Sequence, residues 1–269
     1  MDPRAKILIA GAGPAGLAAA LIFSLRGFSP RVIERQRRDE ISAPRRGLIL
    51  RPRTLEMLAE TGGTEALIDA GVQITRLRIE EGERALAQFD LSKLKHRYAF
   101  LLSLSEEDVM KVLSARLTEF SLSIEYGLAV RNVRLENGKA LVSLSDGRTE
   151  EYDCLIGADG VQSTVRTALG IPFTGFDYPA GWSFQDIPAD EPEEPAVLDL
   201  LAEGQMRLRV PCGPGRIRVV ANTPLEGFTP LPVTVRRAKE VQRPGVALTG
   251  NAAAAHGPFG GIGMGREIE

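Results

Sequence analysis

The chain has 269 residues, 43% of them hydrophobic, which is enough for a well-buried core in one large domain or two modest ones. Lys and Arg total 33 against 35 Asp and Glu, a formal net charge of -2, so electrostatics gives no reason to expect a nucleic-acid partner. Two histidines and two distant cysteines, Cys154 and Cys212, exclude the usual zinc spacings and a disulfide framework, and make a reducing, cytoplasmic compartment the default.

Residues 6–10 form a short apolar run suited to a buried parallel strand. Residues 14–26, rich in Ala and Leu, predict a helix closed by Gly27, and residues 31–34 a second strand. The same apolar stretch after Arg4 and Lys6 has the look of a secretory leader, but Gly11, Gly13, Pro14 and Gly16 interrupt it at spacings that a strand–turn–helix explains better. Nothing else approaches the ~20 apolar residues of a membrane span, so no stable membrane insertion is expected.

Residues 54–60 and 64–69 read as helices, and residues 73–104 as antiparallel strands in which Leu77 and Ile79 alternate with Arg76, Arg78 and Glu80. Residues 106–120 return to helical spacing, with Val109, Val112, Leu113 and Leu117 on one face. Residues 124–135 and 140–144 predict two strands joined by an Asn137-Gly138 hairpin turn. Residues 151–156 form another strand, followed by a glycine turn and a short helix over 163–169. Residues 173–220 lean to strand, the acidic prolines of 188–195 to loop, and residues 246–248 to a last buried strand.

The chemistry concentrates in the turns. In Gly11-Ala12-Gly13-Pro14-Ala15-Gly16, the first glycine permits a tight turn, the second lets backbone approach a pyrophosphate, and the third allows close helix–strand packing. Glu34 closes the second strand about 20 residues on, where a carboxylate accepts hydrogen bonds from a ribose 2′-OH and repels a 2′-phosphate. The ligand expected from this unit is FAD or NAD rather than NADP.

The stretch Gly157-Ala158-Asp159-Gly160-Val161-Gln162-Ser163-Thr164-Val165-Arg166, with Leu169-Gly170-Ile171 behind it, resembles the second fingerprint of the FAD-dependent aromatic hydroxylases, the group A flavoprotein monooxygenases of the p-hydroxybenzoate hydroxylase type. The resemblance implies FAD as cofactor, NADH or NADPH as reductant, and an α/β fold. That fold is a Rossmann-like FAD-binding domain of the glutathione-reductase type with an inserted antiparallel β-sheet substrate domain. It places Asp159 and Gly160 near the FAD pyrophosphate; Asp159 and Ser163 also suit helix capping. It places Arg35 near the adenine and one of Arg45 or Arg46 near the pyrophosphate, although seven arginines between 35 and 53 also suit a solvated basic face.

The family's third fingerprint is matched by Gly250-Asn251-Ala252-Ala253-Ala254 with Pro258, Gly261 and Gly263 at the expected offsets, but Asn251 stands where the family has Asp and Ala254 where it has His. Asn251 keeps hydrogen-bonding capacity and loses the charge. Glu106 occupies a position where the family has Gln; a carboxylate beside phosphates is unfavourable, so Glu106 is expected to face solvent. Residues 261–269 read as a turn and the first residues of a helix that is longer in the family, and residues 222–243 as short for the family's remaining strands and return helix. A C-terminally shortened chain is the expectation.

The expected division is an FAD-binding domain over 1–72, 105–172 and 240–269, and a substrate-domain sheet over 73–104 and 173–239. His96 and Trp182 fall in the latter and read as a surface histidine and a core tryptophan. The resemblance implies hydroxylation of an aromatic or polyketide-like small molecule with O2, in which the cofactor supplies the chemistry and no side chain must act as acid or base. Two alternatives stand beside it: a flavin-dependent reductase of the geranylgeranyl-reductase type, and a truncated flavin-binding protein without turnover.

Overall fold

The computed structural model describes residues 2, 4–40, 49–178, 181–189, 195–213, 215–257 and 268. A six-stranded sheet organises the nucleotide-binding half. Its members, in chain order, are β1 (Ile7–Ala10), β2 (Arg31–Glu34), β3 (Ile124–Tyr126), β4 (Cys154–Gly157), β5 (Gln242–Arg243) and β6 (Val246–Leu248), arranged in space as β5-β6-β4-β1-β2-β3. All neighbours pair in parallel except β5 with β6.

Helix α1 (Pro14–Leu25) connects β1 to β2 and packs against α2 (Glu106–Glu119). Seven of its twelve residues are buried, which an Ala- and Leu-rich helix covered on most sides requires. Gly27 ends it with φ +83°, its N–H donating to Ser24 O while Phe28 N–H donates to Phe23 O. Side chains of β1 alternate between two cores. Ile7 and Ile9 join Leu17, Leu21, Val109, Leu113 and Leu117 under the helices. Leu8 and Ala10 join Val133, Ala140, Val142 and Tyr152 of an antiparallel meander (Val130–Glu136, Lys139–Leu144, Thr149–Tyr152) on the opposite face.

Two predicted strands divide. Residues 124–135 split at Gly127, whose φ is +77°: the first part is β3 in the parallel sheet, the second opens the meander. Residues 151–156 split at Asp153, whose N–H donates to Lys6 O, so that Thr149–Tyr152 closes the meander and β4 enters the parallel sheet. Continuous strand-like sequence here serves two sheets.

A seven-stranded sheet forms the other half, in the order Thr229–Leu231, Trp182–Pro188, Arg216–Ala221, Met206–Gly213, Ala196–Leu200, Arg76–Glu81, Arg84–Asp90. It is antiparallel except where Ala196–Leu200 pairs in parallel with Arg76–Glu81. Leu77, Ala196, Leu208 and Val210 on one face pack against Ile49, Ile74 and Leu101 of a three-stranded sheet (Ile49–Leu50, Val72–Ile74, Leu101–Ser103). Trp182 is buried with Phe184, Val220, Leu231 and Val233. His96 is partly exposed, its Nδ1 accepting from Tyr98 N–H and its Nε2 3.4 Å from Glu56 Oε2. Among the described residues of 222–243 the elements are strands. The acidic prolines lie largely, and residues 261–267 and 269 wholly, outside the described residues; Ile268 is buried in the core beneath the helices.

Candidate functional site: a cleft at the glycine turn

The turn between β1 and α1 is built by steric necessity. Gly11 has φ +108°, and a Cβ there would lie 2.3 Å from Ala158 O, so both conformation and space demand glycine. A Cβ on Gly16 would lie 1.9 Å from Gly11 O, which is how closely the helix sits on its own turn. Gly13 differs: nothing lies within 4 Å of a Cβ built there, because it faces an open cleft.

Gly13 is also the N-cap of α1, Pro14 occupies the first helical position, and no side chain caps the helix. The first ladder bond is Leu17 N–H to Gly13 O at 2.9 Å, leaving the N–H groups of Ala15 and Gly16 without acceptors in the helix. The positive end of the helix dipole therefore meets the cleft at Gly13, and among the described residues these two N–H groups have no backbone acceptor. Pro14, Ala15 and Gly16 are themselves buried and shape this end from behind.

Glu34 ends β2 beside the turn. Its Oε2 accepts from Ala12 N–H at 2.9 Å and its Oε1 from Gln36 N–H at 3.0 Å. Each carboxylate oxygen has a second lone pair, so the group is held in place with capacity left for a further donor.

Across the cleft, β4 runs into Ala158-Asp159-Gly160 and α3 (Thr164–Ala168). Asp159 Oδ2 accepts from Thr164 and Val165 N–H at 2.7 and 3.1 Å, and its Oδ1 from Ser163 Oγ–H at 2.5 Å. Ser163 Oγ in turn accepts from Arg166 N–H at 2.9 Å. This helix end is closed by its own side chains, whereas that of α1 is open. An anion seeking backbone donors meets them at Gly13, while Asp159 fixes the shape of the second turn.

Arg166, 6% exposed, ties that turn to the third fingerprint. It donates to Ala252 O at 2.9 Å and to Val161 O at 2.6 Å, with its guanidinium 3.8 Å from the Phe173 ring centroid. Burial lowers its pKa from the ordinary value, and the charge of Asp159 opposes that shift. The Gly250–Ala252 turn carrying Asn251 is thereby anchored to α3, and Thr249 N–H donates to Gly157 O at 2.9 Å.

The cleft encloses about 300 Å³ and is lined by Gly11, Gly13, Glu34, Arg35, Asp159 and Gly160 together with residues that motif spacing did not indicate. Those are Ile33, Gln36, Met110 and the Leu128–Val130 corner, which no local signal marks; Thr164, from the second fingerprint, lines the cleft too. Glu106 lines the cleft as well, which corrects the expectation that it faces solvent. As the first residue of α2 it shares a helix face with Met110 four residues on, while Glu107 is exposed. Helical phase decides its direction, and charge alone did not reveal it. Asn251 is not among the lining residues of this cleft. Arg46, Pro258, Gly261 and Gly263, with Arg45, lie outside the described residues. Among the described residues there is no group of three or more His, Cys, Asp or Glu able to hold a metal ion, and no helix long and apolar enough to cross a membrane.

This is the arrangement of a dinucleotide-binding α/β protein. Residues 4–210 match the family described as FAD binding domain, and the chain belongs to that family, as the FAD-dependent aromatic hydroxylases do. It is 33% identical over 247 residues to a 6-methylpretetramide 4-monooxygenase of Streptomyces rimosus, covering 88% of this chain and 44% of that protein. It is 33% identical over 180 residues to the pentachlorophenol 4-monooxygenase of Sphingobium chlorophenolicum, covering 65% of this chain and 33% of that one. The chain thus spans about half the length, or less, of these two relatives. In fold it is similar to PqsL of P. aeruginosa, solved in complex with 2-aminobenzoylacetate: TM-score 0.87 at 19% identity, over 98% of this chain and 83% of that one.

Proposed function

We propose that the cleft binds the ADP portion of FAD and that the protein is an FAD-dependent monooxygenase, hydroxylating an aromatic or polyketide-like small molecule with O2 and NADH or NADPH. The open N-terminus of α1 at Gly13 carries the reading. The space that a Cβ on Gly13 would fill is vacant, the Ala15 and Gly16 N–H groups are available to phosphate oxygens, and Glu34 has acceptor capacity for ribose hydroxyls. Arg35 lines the same cleft and would meet the adenine. Asp159 and Gly160 would shape the opposite wall. By the same resemblance, Arg45 or Arg46 would meet the pyrophosphate, and Asn251, Pro258, Gly261 and Gly263 would make up the third fingerprint's part of the site.

When bound, FAD supplies the oxygen-transfer chemistry; the chain's residues bind it, orient it and shield it from water. We further propose the domain division expected from sequence, with the seven-stranded sheet as the substrate-binding part. A cytoplasmic setting is supported by two free thiols, Cys154 and Cys212. The substrate class is supported by the names of the relatives, whose reactions are those of longer proteins.

Titration with FAD, followed by flavin fluorescence quenching, is expected to saturate at or below tens of micromolar. Oxygen-dependent conversion of a phenolic or polyketide panel with NADH or NADPH then separates a hydroxylase from an alkene reductase. Absence of saturable binding defeats the cofactor assignment; binding without oxygenated product defeats the activity.

A further inference from the structure

Residues 91–100 leave the seven-stranded sheet after Asp90 and enter the three-stranded sheet at Leu101. A single turn, Leu91–Lys93, starts the crossing, with Leu91 N–H donating to Thr75 O at 2.7 Å. Beyond it Lys93, Leu94, Lys95 and Arg97 are exposed. Two polar contacts tie the segment to the helices Pro52–Ala59 and Thr64–Ala70: His96 Nε2 lies 3.4 Å from Glu56 Oε2, and Arg97 pairs with Glu65 at 3.2 Å. Both stand at the surface, where solvent screening and the ordering of long side chains offset much of the attraction. Of residues 91–100, Tyr98 alone is buried, and it joins the core that holds Leu55, Leu58 and Leu67 of those helices. Phe100 meets its ring edge-on at 6.3 Å, and the Arg97 guanidinium lies 5.1 Å from its centroid. The residue is 3% exposed, yet its hydroxyl has no hydrogen-bond partner among the described residues. A phenol O–H both donates and accepts, and burying it unpaired forfeits its bonds to water.

We infer that residues 91–100 are a strap that opens locally while the rest of the fold stays intact, and that the unpaired Tyr98 hydroxyl sets how often it opens. The apolar ring draws the strap shut. The hydroxyl opposes closure, because it regains hydrogen bonds to water each time the strap lifts. Opening of this kind breaks few buried contacts, since one side chain anchors the segment. The strap runs from the seven-stranded sheet past the two helices, so lifting it loosens the link between them.

The experiment is limited trypsin digestion of the native chain, with cleavage after Lys93, Lys95 and Arg97 followed by mass spectrometry. At low protease the rate tracks the population of the open strap. Tyr98→Phe keeps the ring and removes the hydroxyl, so cleavage at the three sites is expected to slow about tenfold. Tyr152→Phe is the control: its hydroxyl is bonded to Arg31 and Glu150, and its loss should not slow cleavage in the strap. In the unaltered chain the cleavage rate should change little with urea below the unfolding transition, because a local opening exposes little surface. Equal or faster cleavage of Tyr98→Phe, or equal slowing in both variants, overturns the role given to the hydroxyl. A rate that rises with urea in step with global unfolding overturns the strap itself.

Discussion

Glu34 is bound into the fold and lines the cleft at once. Its two oxygens accept from Ala12 and Gln36 N–H, which locks the glycine turn against the end of β2, and each retains a lone pair. Replacing it with Ala removes charge-assisted hydrogen bonds worth roughly 1.5–3 kcal/mol. FAD affinity is then expected to fall about ten- to hundred-fold. Glu34→Gln, which keeps one acceptor oxygen, should lose less. Titration of both variants, with circular dichroism to establish folding, checks this; an unchanged dissociation constant in folded Glu34→Ala would move the ribose contact elsewhere. At this scale the sequence was informative wherever sterics or a short motif dictates the residue, as at Gly11, Gly16 and Glu34. It was silent on Glu106, because whether a helix's first residue faces a cleft depends on how the whole helix is rotated against the sheet.

Elements show the same boundary between local and distant causes. Helix α1 was legible because its start and stop are chemical: glycine and proline before it, Gly27 after it. The strands on either side of Gly127 and Asp153 were legible as strands but not as members of different sheets, since period-two alternation carries no information about which neighbour a strand will find. An ionic cluster joins these sheets where they part. Arg31 of β2 donates to Glu125 of β3 at 2.6 and 2.8 Å, to Glu150 at 3.0 Å and to Tyr152 OH at 2.7 Å, and Tyr152 OH donates to Glu150 at 2.8 Å. Burial, then the bond to Glu150, pushes the Tyr152 phenol up to about 12 from its ordinary 10.0. A raised acid pKa means the fold favours the neutral phenol. Its contribution is complete below pH 10 and is lost as pH rises toward 12. Tyr152→Phe should therefore be less stable than the unaltered protein at neutral pH, by about 1 kcal/mol. The gap in melting temperature between the two should narrow as the pH rises through that window. A gap that stays constant would mean that Tyr152 does not titrate differently in the folded chain.

On the scale of the whole molecule, the seven-stranded sheet is assembled from two separate stretches of chain and joined by one parallel pairing, Ala196–Leu200 on Arg76–Glu81. One face of it packs through Leu77, Ala196, Leu208 and Val210 against Ile49, Ile74 and Leu101 of the three-stranded sheet. Val210 is fully buried in that contact. Val210→Ala removes two methyl groups and leaves a small cavity, costing about 2 kcal/mol. If the halves fold as one unit, a single thermal transition shifted down by roughly 4–8 °C is expected. Calorimetry showing two transitions, only one of them shifted, would instead make the sheet an independently folding part.

The sequence by itself determined the βαβ unit, the second glycine turn, the helix caps and the class of ligand, because each follows from sterics, hydrogen-bonding capacity or charge within a few tens of residues. Only the tertiary structure decided which sheet each half of residues 124–135 and 149–157 enters, that one pair in the larger sheet runs parallel, and that Glu106 rather than Glu107 lines the cleft. It also decided that Asp159 spends its bonds closing α3 while the start of α1 stays open. Those outcomes depend on which distant surfaces bury one another, and that burial is a property of the assembled core rather than of any segment in it.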